Sequence, residues 1–176
     1  YERARPGYPD EAVAFLAERL RLEPGRTVVD VGAGTGKLTR ALVPYGARVV
    51  AVEPLGEMRA QLERAVPQAV AVDGTAESIP LADGAADAVT AAQAAHWFDL
   101  DRALPELHRV LAEDGLLALV WNSRDLGDPL QARVEELVAP YREAAPLQLD
   151  RQWRAAVDAS PLFGALPSTN EAIELQ

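Results

Sequence analysis

The sequence predicts an α/β fold, in which helices cover both faces of a doubly wound, mainly parallel β-sheet. Strand-like and helix-like segments alternate along the chain, with about twenty residues from one strand to the next. The strand-like segments are short and almost continuously apolar, as is typical of strands that are covered on both faces. A cluster of glycines directly follows the first of them, at residues 32–36, where an α/β sheet of this kind binds its ligand.

The strands are predicted from runs of valine, alanine and leucine that contain few charges. They are Thr27–Val31, Arg48–Glu53, Ala69–Val72, Ala86–Ala91 and Leu116–Trp121. Helical patterns occupy the intervals, with Asp10 expected as the N-cap of the first and Asp114-Gly115 as the stop of the fourth. The predicted helices are Asp10–Leu20, Gly36–Tyr45, Leu55–Val66, Asp101–Leu111, Pro129–Tyr141 and Arg151–Ala159.

Length and composition indicate one soluble domain over residues 1–176. The chain is 49% hydrophobic and 25% charged, and no linker, repeat or low-complexity tract divides it. No apolar run approaches the ~18 residues that a membrane-spanning helix requires. We therefore expect a cytoplasmic protein with no membrane partner, present as a monomer or homodimer.

Charge and residue counts exclude several functions. The chain has 17 basic and 27 acidic residues, a net charge of −10 that repels nucleic acid. It has no cysteine, which excludes disulfides, thiolate metal sites and a cysteine nucleophile. The two histidines, His96 and His108, supply too little nitrogen for a typical zinc centre, so no metal is predicted.

The glycines Gly32, Gly34 and Gly36 stand at alternate positions between the first strand and the next helix. Glycine is required where the backbone takes a positive φ or where a ligand must touch the main chain. A phosphate-binding loop would need glycine at position 31 and a hydroxyl residue at 38, but the chain has Val31 and Leu38. A dinucleotide fingerprint would need glycine at 37, where lysine stands, so a nicotinamide enzyme is disfavoured but stays open.

Two acids accompany this loop. Asp30 lies two residues before the first glycine, where burial of a carboxylate is costly unless a cation or donors meet it. Glu53 ends the second strand, 23 residues later, where an acid can accept hydrogen bonds from ribose hydroxyls. The structural alternatives are an aspartate that caps the glycine turn and an exposed loop glutamate.

Asp30, the three glycines and Glu53 together resemble motif I and the ribose-binding acid of class I S-adenosylmethionine-dependent methyltransferases. The small-molecule, type 11-like branch is the most similar, and the resemblance extends over residues 1–122. The further matching segments are Tyr1–Pro9, Asp73–Leu81, Asp87–Phe98 and Leu107–Gly115.

The resemblance implies a Rossmann-like methyltransferase fold and in-line transfer of a methyl group from S-adenosyl-L-methionine to a small-molecule acceptor. In this family the glycines let the backbone approach the methionine part of the donor. Asp30 would hold its ammonium group, directly or through water, and Glu53 both ribose hydroxyls. Leu55 would cover the adenine, and Thr75 and Ala76 its edge. Many relatives have aspartate where this chain has Thr75, so the threonine hydroxyl or Glu77 would replace that contact.

The resemblance also places the acceptor above the fourth strand. Gln93 would form the floor of the sulfonium site, and Trp121 with Asn122 the rim of the acceptor pocket. The predicted catalytic residues are His96, as a general base whose ordinary pKa lies near neutrality, and Tyr1, as part of a lid over the sulfonium. The structural alternative for His96 is a side chain packed by Trp97.

By the same resemblance, residues 1–122 form the nucleotide-binding core, and residues 123–176 a helical cap with the start of the C-terminal strands. Whether those strands are complete stays open, because Pro161–Gln176 supplies at most one. The remaining alternatives are an NAD(P)-binding oxidoreductase and a non-catalytic module that binds S-adenosylmethionine.

Overall fold

The computed structural model describes residues 7–122, 126–141 and 152–164. The strands of this part are β1 (Thr27–Val31), β2 (Arg48–Val52), β3 (Val70–Val72), β4 (Ala86–Ala92) and β5 (Leu111–Val120). Its α-helices are α1 (Asp10–Arg19), α2 (Lys37–Leu42), α3 (Gly56–Ala65), α4 (Leu100–Val110), α5 (Pro129–Val138) and α6 (Gln152–Ala159). Short 3-10 turns extend α2 and α5 and follow β4, at Val43–Tyr45, Ala139–Tyr141 and Ala95–Trp97.

The five strands form one parallel sheet in the order β3-β2-β1-β4-β5. The chain moves outward from β1 through β2 to β3, and then returns to place β4 on the other side of β1. The strand order therefore reverses between β1 and β4, and a crevice opens at the carboxyl ends of strands at such a switch. The predicted α/β fold class is confirmed.

The sheet is buried on both faces, because successive strand residues point to opposite sides. Val28 and Val49 pack with α1 and α2, in a cluster that includes Val13 and Leu42. The other face carries a cluster with Val29 and Val50, packed with α4 and with Val157 of α6. This double coverage explains why the strands are almost continuously apolar.

Two local predictions were wrong. Asp10 is not the N-cap of α1: Pro9 occupies that position, and Asp10 lies in the first turn, where its charge favours the helix dipole. The last strand begins at Leu111 rather than Leu116, because Leu111 already pairs with Ala86. The predicted turn at residues 114–115 lies inside an irregularity of the strand, after which Leu116 pairs with Ala88.

Arg109, in the last turn of α4, holds the long connection between β3 and β4. Its guanidinium donates to the carbonyls of Ile79 and Leu81 at 3.0 and 2.9 Å, and to Asp83 Oδ1 at 2.6 Å. Glu106 accepts from the same guanidinium at 2.7 Å and from the Ile79 amide at 2.7 Å. The connection, which crosses the edge of the crevice, is thereby fixed to α4.

Glu106→Gln is expected to lower the free energy of unfolding at pH 7 by about 1–3 kcal/mol, since it weakens charge-assisted hydrogen bonds. The bond from Arg109 holds the pKa of Glu106 below its ordinary 4.5. This contribution is therefore present above pH 4.5 and is lost as the pH falls through the lowered folded pKa. Urea unfolding at pH 7 and pH 3.5 measures the free energy of unfolding of both chains. The difference between Glu106→Gln and wild type should be smaller at pH 3.5.

Glu136→Gln is the matched control, because Glu136 also pairs with an arginine three residues away, at 2.7 Å, but on the exposed surface of α5. Its effect should stay below about 1 kcal/mol. Equal losses in the two variants would contradict the anchoring role of Glu106.

Candidate active site

Two of the three glycines in the loop after β1 are required by packing. Gly32 and Gly36 have φ values of +69° and +83°. A Cβ on Gly32 would lie 2.7 Å from the Cβ of Ala94, and one on Gly36 would lie 2.8 Å from Cγ of Leu62. The loop is therefore pressed against the segment after β4 on one side and against α3 on the other.

Gly34 differs from its neighbours because it faces open space. Its φ is +58°, yet a Cβ built there would meet no atom within 4 Å. Its amide nitrogen donates to Oε2 of Glu53 at 2.8 Å. The middle of the loop thus presents bare backbone to the crevice, beside a carboxylate, with room for a ligand.

Glu53 follows β2 and is 4% exposed. One carboxylate oxygen accepts from the Gly34 amide, and the other accepts from the Leu55 amide at 2.9 Å. A carboxylate oxygen can accept more than one hydrogen bond, so these contacts orient the group and leave capacity for further donors. Leu55 itself is exposed beside it.

Asp30 lies beneath the loop and is 1% exposed. Its two oxygens accept hydrogen bonds from the hydroxyls of Thr39 in α2, at 2.7 Å, and Thr90 in β4, at 3.0 Å. Burial raises the pKa of Asp30 to about 6, although both hydroxyls act to lower it. In this structure the acid joins β1, α2 and β4 below the crevice, and its predicted contact with an ammonium group stays a prediction.

Gln93, directly after β4, has a strained backbone. Its φ is +53°, uncommon for a residue with a side chain. Its amide donates to the Val120 carbonyl at 2.8 Å, and its side-chain Nε2 donates to the Asn122 carbonyl at 3.3 Å. Gln93 therefore joins the carboxyl ends of β4 and β5, and its role as the floor of the sulfonium site stays a prediction.

The predicted adenine-edge residues lie after β3. Thr75 is exposed and pairs through its backbone with Ser78, whereas the side chain of Ala76 is buried in the core, so only its main chain can face a ligand. Burial alone would raise the pKa of Glu77, but bonds from the Asp99 amide and the Thr75 hydroxyl hold it below its usual value. Glu77 thus fastens this loop to the start of α4.

Of the two predicted catalytic residues, Tyr1 lies outside the described residues. His96 is half-buried, and its ring centroid lies 5.1 Å from that of Trp97. Trp97 is 65% exposed at the carboxyl edge of the sheet. Tyr8 packs against the cluster of α1 and α2, which agrees with an anchoring role for that residue.

Sequence reasoning missed the partners of the site acids. Thr39 and Thr90 hold Asp30, and Arg59 of α3 donates to the Glu53 carbonyl at 2.6 Å. A fully buried threonine within the apolar strand β4 was an available signal, since a buried hydroxyl needs a partner. Trp153 stacks on Trp121 with ring centroids 3.9 Å apart, a contact between distant segments that the sequence does not reveal.

The part of the chain that the structure describes contains neither a metal-binding cluster nor a membrane-spanning helix. Across residues 7–122, 126–141 and 152–164, no three histidine or acidic side chains are grouped so as to hold a metal ion. No helix in those ranges has the length and apolar character to cross a membrane.

Asp30→Asn tests the cost of the buried acid. The Asp30 pKa lies near 6 in the fold against an ordinary 3.8, so the unfolded chain ionises first as the pH rises. Wild type should therefore lose about 3 kcal/mol of unfolding free energy relative to Asp30→Asn between about pH 4 and pH 7. Denaturant titrations across that range measure it.

Thr39→Val provides an internal control for this titration. It removes a hydroxyl that lowers the Asp30 pKa in the fold. In this variant the loss of stability should therefore begin at the same pH as in wild type, but extend to a higher pH and become larger. A difference between wild type and Asp30→Asn that does not change with pH would contradict the assignment.

Comparison with known proteins identifies the family. A family model described as a methyltransferase domain matches residues 29–119, which include the glycine loop, Glu53 and Gln93. An uncharacterized methyltransferase of Mycobacterium tuberculosis is 55% identical over 125 residues, which is 71% of this chain and 50% of the relative. A malonyl-[acyl-carrier protein] O-methyltransferase of Geobacter sulfurreducens is 38% identical over 141 residues, 76% of this chain and 49% of that protein.

Among solved structures, a putative type II methyltransferase from Anaeromyxobacter dehalogenans superposes with a TM-score of 0.73 at 29% identity. The match covers 94% of this chain and 70% of that one. The chain spans about half the length of the two curated relatives described above. The family match covers β2, β3 and β4 completely and most of β1 and β5, and the chain therefore belongs to the class I methyltransferase domain family.

Proposed function

We propose that this protein transfers a methyl group from S-adenosyl-L-methionine to a small-molecule acceptor. The single observation that carries the proposal is the Gly34 peptide, which faces open space with the Glu53 carboxylate bonded to it at 2.8 Å. A nucleoside that carries an amino acid chain needs main chain that it can approach closely, beside an acid that accepts from ribose. The carboxyl ends of β1 and β2 supply both, because Gly34 leaves open space beside Glu53.

The residues at these strand ends fit such a donor. Glu53 retains hydrogen-bonding capacity for ribose hydroxyls, and the exposed Leu55 next to it offers an apolar surface for a flat base. Asp30 places negative potential beneath the loop, which favours a cationic ligand group. When bound, the donor supplies a methyl group on a sulfonium that is already a good leaving group.

The protein's task in such a displacement is to hold two reactants in line and exclude water. Gln93 is rigidly placed by its bonds to Val120 and Asn122 and would form the floor under the reacting centre. His96 lies three residues further and would accept a proton from an oxygen or nitrogen acceptor. Tyr1 would belong to a lid over this point, as the sequence predicts.

The alternative nicotinamide cofactor carries a pyrophosphate, which this crevice suits poorly. Asp30 is a buried acid beneath the loop, where its charge would repel a pyrophosphate, and lysine stands at position 37 where a dinucleotide fingerprint has glycine. Phosphates prefer bare helix N-termini without nearby carboxylates. We therefore place the oxidoreductase second.

The acceptor side is less constrained than the donor side. The exposed Trp97 stands at the carboxyl edge of the sheet and would pack against an apolar or planar acceptor. The similar Geobacter protein is named for a malonyl thioester acceptor, so malonyl thioesters are suitable first compounds to assay. The net charge of −10 again argues against a nucleic-acid acceptor. A cytoplasmic monomer or homodimer remains our expectation.

Titration calorimetry with S-adenosylhomocysteine and with NAD tests the donor directly. We expect saturable binding of S-adenosylhomocysteine, with a Kd of about 1 μM or tighter. We expect no heat of binding with NAD. Tight NAD binding without binding of the homocysteine compound would refute the proposal.

Incubation with methyl-labelled S-adenosylmethionine and a small-molecule metabolite extract tests transfer. A labelled low-mass product is expected, and it should disappear when the extract is omitted. Binding of the donor with no labelled product from any extract would instead indicate a donor-binding module without transferase activity.

Gly34→Ala should weaken donor binding by about tenfold or more. The added methyl group would occupy the open space in which the ligand approaches the main chain. Gly25→Ala is the matched control: Gly25 also has a positive φ, +94°, and open space around it, but lies in the turn before β1. Both variants should lose about 1 kcal/mol of stability from backbone strain. Only Gly34→Ala should raise the Kd for S-adenosylhomocysteine, and equal affinities in the two would place the ligand elsewhere.

A further inference from the structure

We propose that Arg59 is a positioning residue for the nucleoside end of the donor, acting through Glu53. The inference rests on the proposed function, because it assigns a role within the same donor site. Arg59 lies in the first turn of α3, and its guanidinium is directed back toward the carboxyl ends of β2 and β3.

A single nitrogen of Arg59 reaches three oxygens. Its Nη1 lies 2.6 Å from the Glu53 carbonyl, 3.3 Å from the Pro54 carbonyl and 3.2 Å from Oδ1 of Asp73. The two carbonyls belong to the turn that leaves β2, and Asp73 directly follows β3. One cation therefore joins the ends of two neighbouring strands to the helix between them.

This contact bears on the carboxylate of Glu53 through the turn. One oxygen of that carboxylate is bonded to the Leu55 amide at 2.9 Å, and Leu55 is part of the turn whose carbonyls Arg59 holds. If the peptide after Glu53 rotates, the Leu55 amide moves and the carboxylate loses one of its two fixed bonds. Arg59 thus sets the direction in which Glu53 presents its free lone pairs to a ribose.

The carbonyl contacts, rather than the ion pair, carry this role. The side chain of Arg59 is 21% exposed, whereas that of Asp73 is 72% exposed. An ion pair to so exposed a carboxylate contributes little. The short hydrogen bond from the charged guanidinium to the part-buried Glu53 carbonyl is stronger than a neutral one. Removing the charge of Asp73 should therefore matter much less than removing the guanidinium.

Calorimetry with S-adenosylhomocysteine on the whole chain tests the proposal. Arg59→Met, which keeps the aliphatic stem, should raise the Kd by about tenfold or more. Arg59→Lys should recover part of the affinity, because an ammonium can reach one of the carbonyls but cannot reproduce the guanidinium geometry.

Two controls separate positioning from general effects. Arg64→Met removes an arginine of the same helix whose Nε bonds only to the Ala60 carbonyl within α3, at 3.0 Å, among the contacts described. Asp73→Asn removes the ion pair and leaves the carbonyl bonds in place. Each should change the Kd by less than about twofold.

A double-mutant cycle with Glu53→Gln gives a result that a merely structural role would not produce. If Arg59 acts through Glu53, adding Arg59→Met to the Glu53→Gln chain should cost less than about threefold further affinity. Full additivity of the two losses would overturn the inference, as would wild-type affinity in Arg59→Met. Thermal melts of every variant confirm that binding is measured on folded protein. If Arg59→Met does not fold, the same double-mutant cycle is measured with Arg59→Lys in its place.

Binding by the wild-type chain distinguishes failure of the proposed function from failure of the role assigned to Arg59. A wild-type chain that does not bind S-adenosylhomocysteine overturns the proposed function itself. A wild-type chain that binds, together with an Arg59→Met chain that binds equally well, overturns only the role of Arg59.

Discussion

The structure depends on the hydrogen bond between the Glu53 carboxylate and the Gly34 amide, which joins the end of one strand to the loop that follows its neighbour. The parallel register makes it possible, since Val31 of β1 pairs with Val52 of β2 and the two strands end at the same level. The amides of Gly32 and Ala33 both donate to the Val52 carbonyl, at 2.9 and 3.1 Å. The loop is thereby folded over the end of β2 without a ligand, so that binding of the proposed donor would not need to order it.

Asp30, beneath the loop, destabilises the fold electrostatically but connects the elements on which the loop rests. A carboxyl group that is 1% exposed destabilises the fold when it ionises, as its raised pKa of about 6 indicates. Hydroxyls from Thr39 and Thr90 reduce that cost and, at the same time, connect α2 and β4 to β1. The acid therefore fixes the two walls of the crevice relative to its base. A free-energy cost of this kind, here the burial of a carboxylate, is tolerated where the fold gains a defined site.

The sequence was most informative where function depends on backbone. The five strands and the glycine loop follow from apolar runs and from the spacing of glycines, which are local properties of the sequence. The strand order and its reversal between β1 and β4 became known only from the fold. Thr39, Thr90 and Arg59 were not found because their roles depend on contacts between segments 9, 60 and 6 residues apart. Ala76 is the opposite case. The resemblance to the family predicts a role for this residue, but only the fold shows that its side chain is buried. Asp10 failed as a cap because Pro9, which has no amide hydrogen, fits that position without loss.

The same difference separates the two halves of the crevice, to which we assign the donor and the acceptor by proposal. On the β1–β2 side, main-chain groups and two buried acids define the geometry, so few substitutions there would preserve a donor site. On the β4–β5 side, only Gln93 is held in a strained turn, and the neighbouring Trp97 is 65% exposed. A surface built from side chains can change its shape without altering the sheet. A fold that fixes one substrate through its backbone and leaves the other to variable side chains can therefore serve many acceptors with one donor.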